Sequence, residues 1–72
     1  MNFNQKIGRT IKNLREEKGL TLEKLAYVSE FSKGGLSEVE RGLREIKISS
    51  LEKLCKTLDV SLSDFFIVYE KI

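Results

Sequence analysis

Apolar residues recur every three or four positions along most of the chain, a period that predicts helices rather than strands. The first such run, residues 4–18, is the clearest. Its Ile7, Ile11 and Leu14 share one face, with charged residues between them. Gly19 follows and suits the left-handed conformation that ends a helix. We therefore expect an amphipathic first helix that ends before Gly19.

Two short helices, joined by a tight turn, are predicted next. Thr21 and Ser32 are residue types that cap helix N-termini, and the helices would run roughly over residues 22–29 and 33–41. Gly42 would end the second. Because so few residues separate them, the two helices form a helix-turn-helix.

The small side chain of Ala26 marks the place where these two helices cross, since a larger group would push their axes apart. Leu36 and Val39, three residues apart, form the buried stripe of the second helix. The motif covers about residues 21–42, and a partner would meet its outer face. The outward residues are Lys33, Gly34, Ser37, Glu38 and Arg41.

A loop and a fourth helix are predicted after the motif. No helical period is visible in residues 43–48, so we expect an extended loop held by apolar contacts of Ile46 and Ile48. Ser49, followed three residues later by Glu52, has the capping-box spacing that begins a helix. The inward residues of this helix would be Leu51, Leu54, Cys55 and Leu58.

A short fifth helix completes the predicted fold. Ser61 and Asp64 repeat the capping-box spacing and predict a helix over about residues 62–66, which leaves residues 67–72 as a short apolar tail. The predicted fold class is all-α: a compact five-helix bundle that contains a helix-turn-helix, in a single domain covering residues 1–72.

Composition narrows the function. The 72 residues carry a net charge of +2, which is too small to indicate a polyanionic partner by itself. With one cysteine, Cys55, and no histidine, neither a disulfide within the chain nor a metal site is expected. The chain also lacks a Gly-rich phosphate loop, so an enzyme is the least favoured class. We expect a cytoplasmic protein with no cofactor, no small-molecule ligand, no signal peptide and no membrane-spanning segment.

A set of short stretches gives the chain a family resemblance. The stretches are Ile7-Gly8, Leu14 to Thr21, Leu25-Ala26, Glu40-Arg41-Gly42 and Leu58 to Leu62. Together, over about residues 5–66, they resemble the Cro and phage-repressor helix-turn-helix family, also called the xenobiotic response element family. Residues 44–48 are similar to the loop of restriction-modification controllers and several antitoxins. The resemblance implies a transcriptional regulator that inserts its third helix into the major groove of operator DNA, usually as a two-fold dimer on an inverted repeat.

The candidate DNA contacts follow from this resemblance and from side-chain chemistry. Lys33 and Arg41 offer cations for phosphate or guanine, and Gly34 and Gly35 would let DNA approach the backbone, unless they have no function. Glu38 either accepts a hydrogen bond from cytosine N4 or pairs with a basic residue of its own helix, Lys33 or Arg41, and orients it. The full predicted set is Thr21, Ser32, Lys33, Gly34, Gly35, Ser37, Glu38, Arg41, Arg44, Lys47 and Ser49.

The remaining predicted DNA contacts lie at helix N-termini and in the loop after the motif. Thr21, Ser32 and Ser49 mark helix N-termini, which attract phosphates. Arg44 and Lys47 would reach the DNA backbone or the minor groove, although solvated loop charges explain them nearly as well.

Three positions depart from the family pattern. Leu22 stands where the family often has a phosphate-binding glutamine, so one usual contact is in doubt. Glu30 and Asp59 stand where the family commonly has glycine, and a left-handed backbone there would strain Glu30 more.

The resemblance also implies a structural ion pair and a dimer. Arg15 and Glu40 match a salt bridge between the first and third helices. The predicted dimer interface is Phe66, Ile67, Val68 and Tyr69, which are more apolar than a small bundle hides. The alternative is that Phe65 and Phe66 belong to the core and the tail only packs down on the bundle. The alternative function is a protein-interaction module on the same scaffold, in which Leu22, Glu30 and Glu38 indicate weakened DNA binding.

Overall fold

Five helices and no strand make up the fold in the computed structural model, which describes residues 1–72. The helices are α1 (Phe3–Glu17), α2 (Leu22–Val28), α3 (Lys33–Glu40), α4 (Ile48–Thr57) and α5 (Leu62–Glu70). The predicted all-α five-helix fold is therefore confirmed, and α2 and α3 form the helix-turn-helix. The buried apolar cluster at the centre consists of Ile7, Ile11, Leu14, Leu25, Ala26, Leu36, Val39, Leu51, Leu54, Cys55, Leu58 and Phe65.

Side chains fix the starts of four helices by accepting hydrogen bonds from the first turn. Thr21, Ser32 and Ser61 cap α2, α3 and α5, as their positions in the sequence predict. Asn2 caps α1 in a capping box with Gln5, a pair that is not among the predicted helix starts.

The start of α4 differs from the prediction. The helix begins at Ile48, with Lys47 as N-cap and no side-chain cap, so the predicted capping box of Ser49 and Glu52 is wrong. Ser49 lies inside the first turn, past the position from which its hydroxyl could accept the unpaired N–H groups. Of the two predicted loop anchors only Ile46 packs on the core, because Ile48 points outward from α4 and is 63% exposed.

Four helices end in the same hydrogen-bond pattern. At each end a residue with positive φ reverses the chain, and the N–H groups of that residue and the next bond to carbonyls three and five positions earlier. The residues are Gly19 (φ 68°), Glu30 (63°), Gly42 (75°) and Asp59 (58°). The left-handed geometry expected at Glu30 and Asp59 is present, and it costs a residue with a Cβ roughly 1–2 kcal/mol.

The backbone of α1 runs directly against the end of α3 at Gly8. A Cβ atom there would overlap the carbonyl oxygens of Val39 and Glu40, the second at 2.5 Å. Since backbone atoms fill the space, any larger residue would have to push the two helices apart. Gly8 therefore sets the distance between α1 and α3.

The ion pair expected between Arg15 and Glu40 joins the same two helices. Arg15 donates from Nε to Oε2 of Glu40 at 2.7 Å and from Nη2 to Oε1 at 3.1 Å, a bidentate arrangement. Its Nη1 donates to the carbonyl oxygen of Leu20 at 2.9 Å, in the turn that leads to α2. The carboxylate of Glu40 raises the pKa of Arg15. One guanidinium thus connects α1, α3 and the start of α2.

The last helix is longer than predicted. α5 continues through most of residues 67–72, so the separate tail predicted there is wrong. The ring of Tyr69 packs against Phe3 and Phe66, with centroid distances of 5.7 and 5.6 Å, and Nζ of Lys6 lies 4.2 Å from the centroid of the Tyr69 ring. These contacts hold the last turns of α5 against α1.

Cys55 is part of the core. Burial raises the pKa of its thiol to about 11, and the negative charge of Glu52 adds to the effect. The thiol is therefore protonated near neutral pH and fills space as a small apolar group.

We expect the Glu40→Ala variant to lose roughly 3 kcal/mol of unfolding free energy, because it leaves the guanidinium of Arg15, only 12% exposed, without its partner. Glu38→Ala on the same helix is the matched control, since its ion pair is about half exposed and should contribute less than about 1 kcal/mol. Urea denaturation measures both. Equal losses would contradict the structural role of the Arg15–Glu40 pair.

Candidate nucleic-acid interface

The outer surface of α3 and the start of the following loop carry most of the predicted DNA contacts. Leu36 and Val39 are buried, so Lys33, Gly34 and Arg41 are exposed on the other side of the helix. We define the recognition face as the set Lys33, Gly34, Ser37, Glu38, Arg41 and Arg44. Because α1 and α2 pack on the buried side of α3, the recognition face is open to a partner.

The carboxylate of Glu38 is paired, but not with the residues that the sequence suggests. Nη2 of Arg44 lies 2.8 Å from Oε1 of Glu38, whereas neither Lys33 nor Arg41 contacts this carboxylate. The cause is the chain reversal at Gly42, which brings the loop back alongside α3.

The other two cations of the recognition face differ in their partners. Nζ of Lys33 lies 3.2 Å from Oε2 of Glu23 on α2, in an exposed pair. The pKa of Glu23 is lowered, first by a hydrogen bond from its own backbone N–H and then by Lys33. Arg41 is exposed and has no ion-pair partner. Its charge is therefore free to meet an anion.

The two glycines of α3 have different surroundings. Beyond its chain neighbours and the adjacent backbone of α3, no atom lies within 4 Å of the position that a Cβ would take at Gly34, so this part of the helix is open to close approach. Gly35 is buried, and its Cβ would lie 2.8 Å from Oγ of Ser32 and 3.4 Å from Nη1 of Arg44. The prediction that both glycines admit DNA is therefore corrected for Gly35, which instead makes room for the N-cap and for Arg44.

Of the three helix N-termini predicted to bind phosphate, two have the expected capping residue and one does not. The hydroxyl oxygens of Thr21 and Ser32 accept backbone N–H groups of the first turn at 3.1 and 3.0 Å, and each hydroxyl keeps a proton to donate to an anion. Ser49 is predicted to bind phosphate because it would mark the N-terminus of α4, but it is not the N-cap of that helix. The N-cap is the exposed Lys47.

A basic cleft lies beside the recognition face, and two of its cations, Arg9 and Lys12, are not among the predicted DNA contacts. It has a volume of about 410 Å³ and is lined by Met1, Gln5, Arg9, Lys12, Glu40 and Arg41. Arg9 and Lys12 are three residues apart on the exposed side of α1, and the fold brings them beside Arg41. Glu40 is already paired with Arg15, so the cleft keeps three positive charges. In the sequence, the three-residue spacing of Arg9 and Lys12 is the feature that indicates a basic side of α1.

An apolar groove lies elsewhere on the surface. Its volume is about 370 Å³, and its lining is Phe3, Asn4, Ile7, Glu45, Ile46, Ile48, Leu51 and Phe66. Phe3 and Ile48 are 60% and 63% exposed. Of the four predicted dimer residues, Ile67 is 54% exposed, while Phe66, Val68 and Tyr69 are half-buried. The apolar groove is thus lined by three segments of the chain and not by α5 alone.

Two kinds of feature are absent. None of the five helices is long and apolar enough to cross a membrane. No group of three or more His, Cys, Asp or Glu side chains is arranged to hold a metal ion.

The chain is similar in sequence to known helix-turn-helix proteins. Residues 11–65 match the helix-turn-helix family. The HTH-type transcriptional regulator SlrR of Bacillus subtilis (strain 168) is 39% identical to the chain over 71 residues, which is 92% of this chain and 47% of SlrR. The chain thus spans about half the length of that relative.

Two solved structures are closely similar. The clp gene regulator ClgR from C. glutamicum superposes with a TM-score of 0.94 at 34% sequence identity, covering 99% of this chain and 91% of that one. The restriction-modification controller protein C.Esp1396I, solved as a tetramer in complex with its natural 35 base-pair operator, superposes with a TM-score of 0.89 at 40% identity. That match covers 99% of this chain and 95% of the C.Esp1396I chain.

We expect Gly34→Ala to raise the free energy of unfolding by about 1 kcal/mol, because alanine favours a helix and nothing occupies the space around its methyl group. Gly35→Ala, the matched change one residue later, should give no gain or a loss, since its methyl group displaces the capping hydroxyl of Ser32. Urea denaturation of both variants tests this difference. An equal gain would contradict the packing role assigned to Gly35.

Proposed function

The chain belongs to the helix-turn-helix family, and from that premise we propose that it is a sequence-specific, double-stranded DNA-binding transcriptional regulator that inserts α3 into the major groove. The main support is that α3 has one side buried in the core and the other side open to a partner. Leu36 and Val39 fix α3 to the core, while its other side presents cations and the open backbone at Gly34. The major groove, about 12 Å wide, accepts a helix of this kind.

The charges around α3 suit a duplex. Arg41 is unpaired, and Arg9 and Lys12 lie beside it in the basic cleft, so this end of α3 offers three cations to the phosphate backbone. Lys33, at the other end of α3, forms an ion pair with Glu23. Because this pair is exposed and screened by solvent, a phosphate can replace Glu23 as the partner of Lys33. The two groups of cations flank the part of α3 that would meet base edges.

A two-fold dimer is part of the proposal. The apolar groove and the exposed side chains of Phe3, Ile48 and Ile67 offer a surface that a second copy would cover, and C.Esp1396I assembles as a tetramer on its operator. A dimer with recognition helices about 34 Å apart would prefer an inverted repeat. Of the predicted interface residues, Phe66 lines the groove, Tyr69 packs against Phe3 and Phe66, and Ile67 is exposed, which supports their inclusion in the interface.

Binding alone accounts for the proposed activity. Regulation by occupancy of an operator requires no catalytic step, no cofactor and no small-molecule ligand. The relatives SlrR and ClgR are regulators by name. We place the site of action in the cytoplasm, where a protein of this kind meets DNA.

Selection of bound sequences from a random duplex pool, followed by titration of the enriched duplex at several salt concentrations, tests the proposal. We expect an inverted repeat and a steep fall of affinity with salt, because bound phosphates release counterions. Arg41→Ala should weaken binding to every sequence and reduce the salt slope by about 1 if it contacts phosphate.

Lys56→Ala is the matched control, since Lys56 is exposed on α4 and takes part in no ion pair. Its affinity should be unchanged. A folded chain that enriches no sequence would contradict the proposal and favour the protein-interaction module.

A further inference from the structure

Arg44 belongs to the loop, yet its guanidinium lies on the surface of α3. Nη2 is 2.8 Å from Oε1 of Glu38, and Nη1 is 3.4 Å from where a Cβ of Gly35 would be. Positions 35 and 38 are neighbours on one face of a helix. The guanidinium therefore lies against the turn of α3 between Gly35 and Glu38, in the middle of the recognition face.

A turn, a glycine and a carboxylate produce this placement. The left-handed Gly42 reverses the chain, and the N–H of Leu43 donates to the carbonyl of Glu38 at 2.9 Å, so the loop runs back alongside α3. The missing side chain of Gly35 leaves room for Nη1 of Arg44. The carboxylate of Glu38 then holds the other end of the guanidinium.

We propose that Arg44 is a specificity-determining residue that reads guanine in the major groove, and that Glu38 is its positioning residue. This inference rests on the proposed function. An arginine carries five N–H donors in a planar fork, and the ion pair with Glu38 uses one of its nitrogens, so the outer edge can still meet O6 and N7 of guanine. The side chain of Arg44 is 56% exposed, which leaves this edge accessible.

The same arrangement explains an acidic residue on a DNA-facing surface. A free carboxylate at Glu38 would repel phosphates, whereas a carboxylate paired with Arg44 is neutralised and orients a donor. Gly34 and Gly35 offer no side chain to read bases, so the loop supplies the arginine that this stretch of α3 lacks.

The test compares base preferences of the full chain and its variants on the enriched duplex, with each position of the half-site replaced in turn. For Arg44→Ala we expect the preference for guanine at one position of each half-site to fall from roughly 5- to 150-fold to near none, while preferences elsewhere stay unchanged. Arg44→Lys should not restore it, because an ammonium group cannot make the bidentate pair.

Glu38→Gln separates positioning from simple charge removal. We expect its binding to random duplex to strengthen, since a negative charge is lost, while its preference for guanine at the same position falls. A merely structural role would not move these two quantities in opposite directions. Lys56→Ala should change neither.

Two outcomes would overturn the inference while leaving the proposed function intact. In one, Arg44→Ala weakens binding equally on all sequences and lowers the salt slope by about 1, which identifies a phosphate contact. In the other, Arg44→Ala leaves both affinity and base preferences unchanged. Failure of the unmodified chain to select any sequence would instead overturn the proposed function. Circular dichroism of each variant establishes that it is folded.

Discussion

The close contact of α1 with the C-terminal end of α3 is the constraint on which the rest of the structure depends. Gly8 allows the two backbones to meet, and Arg15 and Glu40 close the contact with a bidentate ion pair that is almost removed from water. Because Arg15 also binds the carbonyl of Leu20, the same guanidinium fixes the turn from which α2 starts. The orientation of α3 is therefore set by its buried side, and its outer side is free to vary with function.

Charge pairing shapes the surface that α3 presents. Glu23 and Glu38 are each bound to a cation of the recognition face, whereas Arg41 and the neighbouring Arg9 have no acidic partner. A chain with a net charge of only +2 thus concentrates unpaired positive charge at one end of α3. This local distribution, and not the total charge, is what a polyanion would meet.

Sequence patterns predict most of the fold because α1 has a clear apolar period and because Thr21, Ser32 and Ser61 mark the starts of α2, α3 and α5. They fail at the start of α4, where no side chain caps the helix and the serine that matches the capping pattern lies inside the first turn. They also fail where a contact distant in sequence decides, as in the packing of Tyr69 on Phe3, which holds the extended α5 on α1. For the candidate site, the outward residues of α3 follow from helical spacing. The partner of Glu38 does not, because a turn beyond the helix delivers Arg44 to it.

In the proposed function, α3, held from behind by α1, is the surface that meets DNA. The most direct measurement is an NMR titration of the isotopically labelled chain with its enriched duplex, following each backbone amide. We expect the largest shift changes at residues 32–44, at the start of α2 and near Arg9 and Lys12, with the amides of α5 little affected. Changes concentrated in α5 and the groove, with α3 unaffected, would contradict the proposed function.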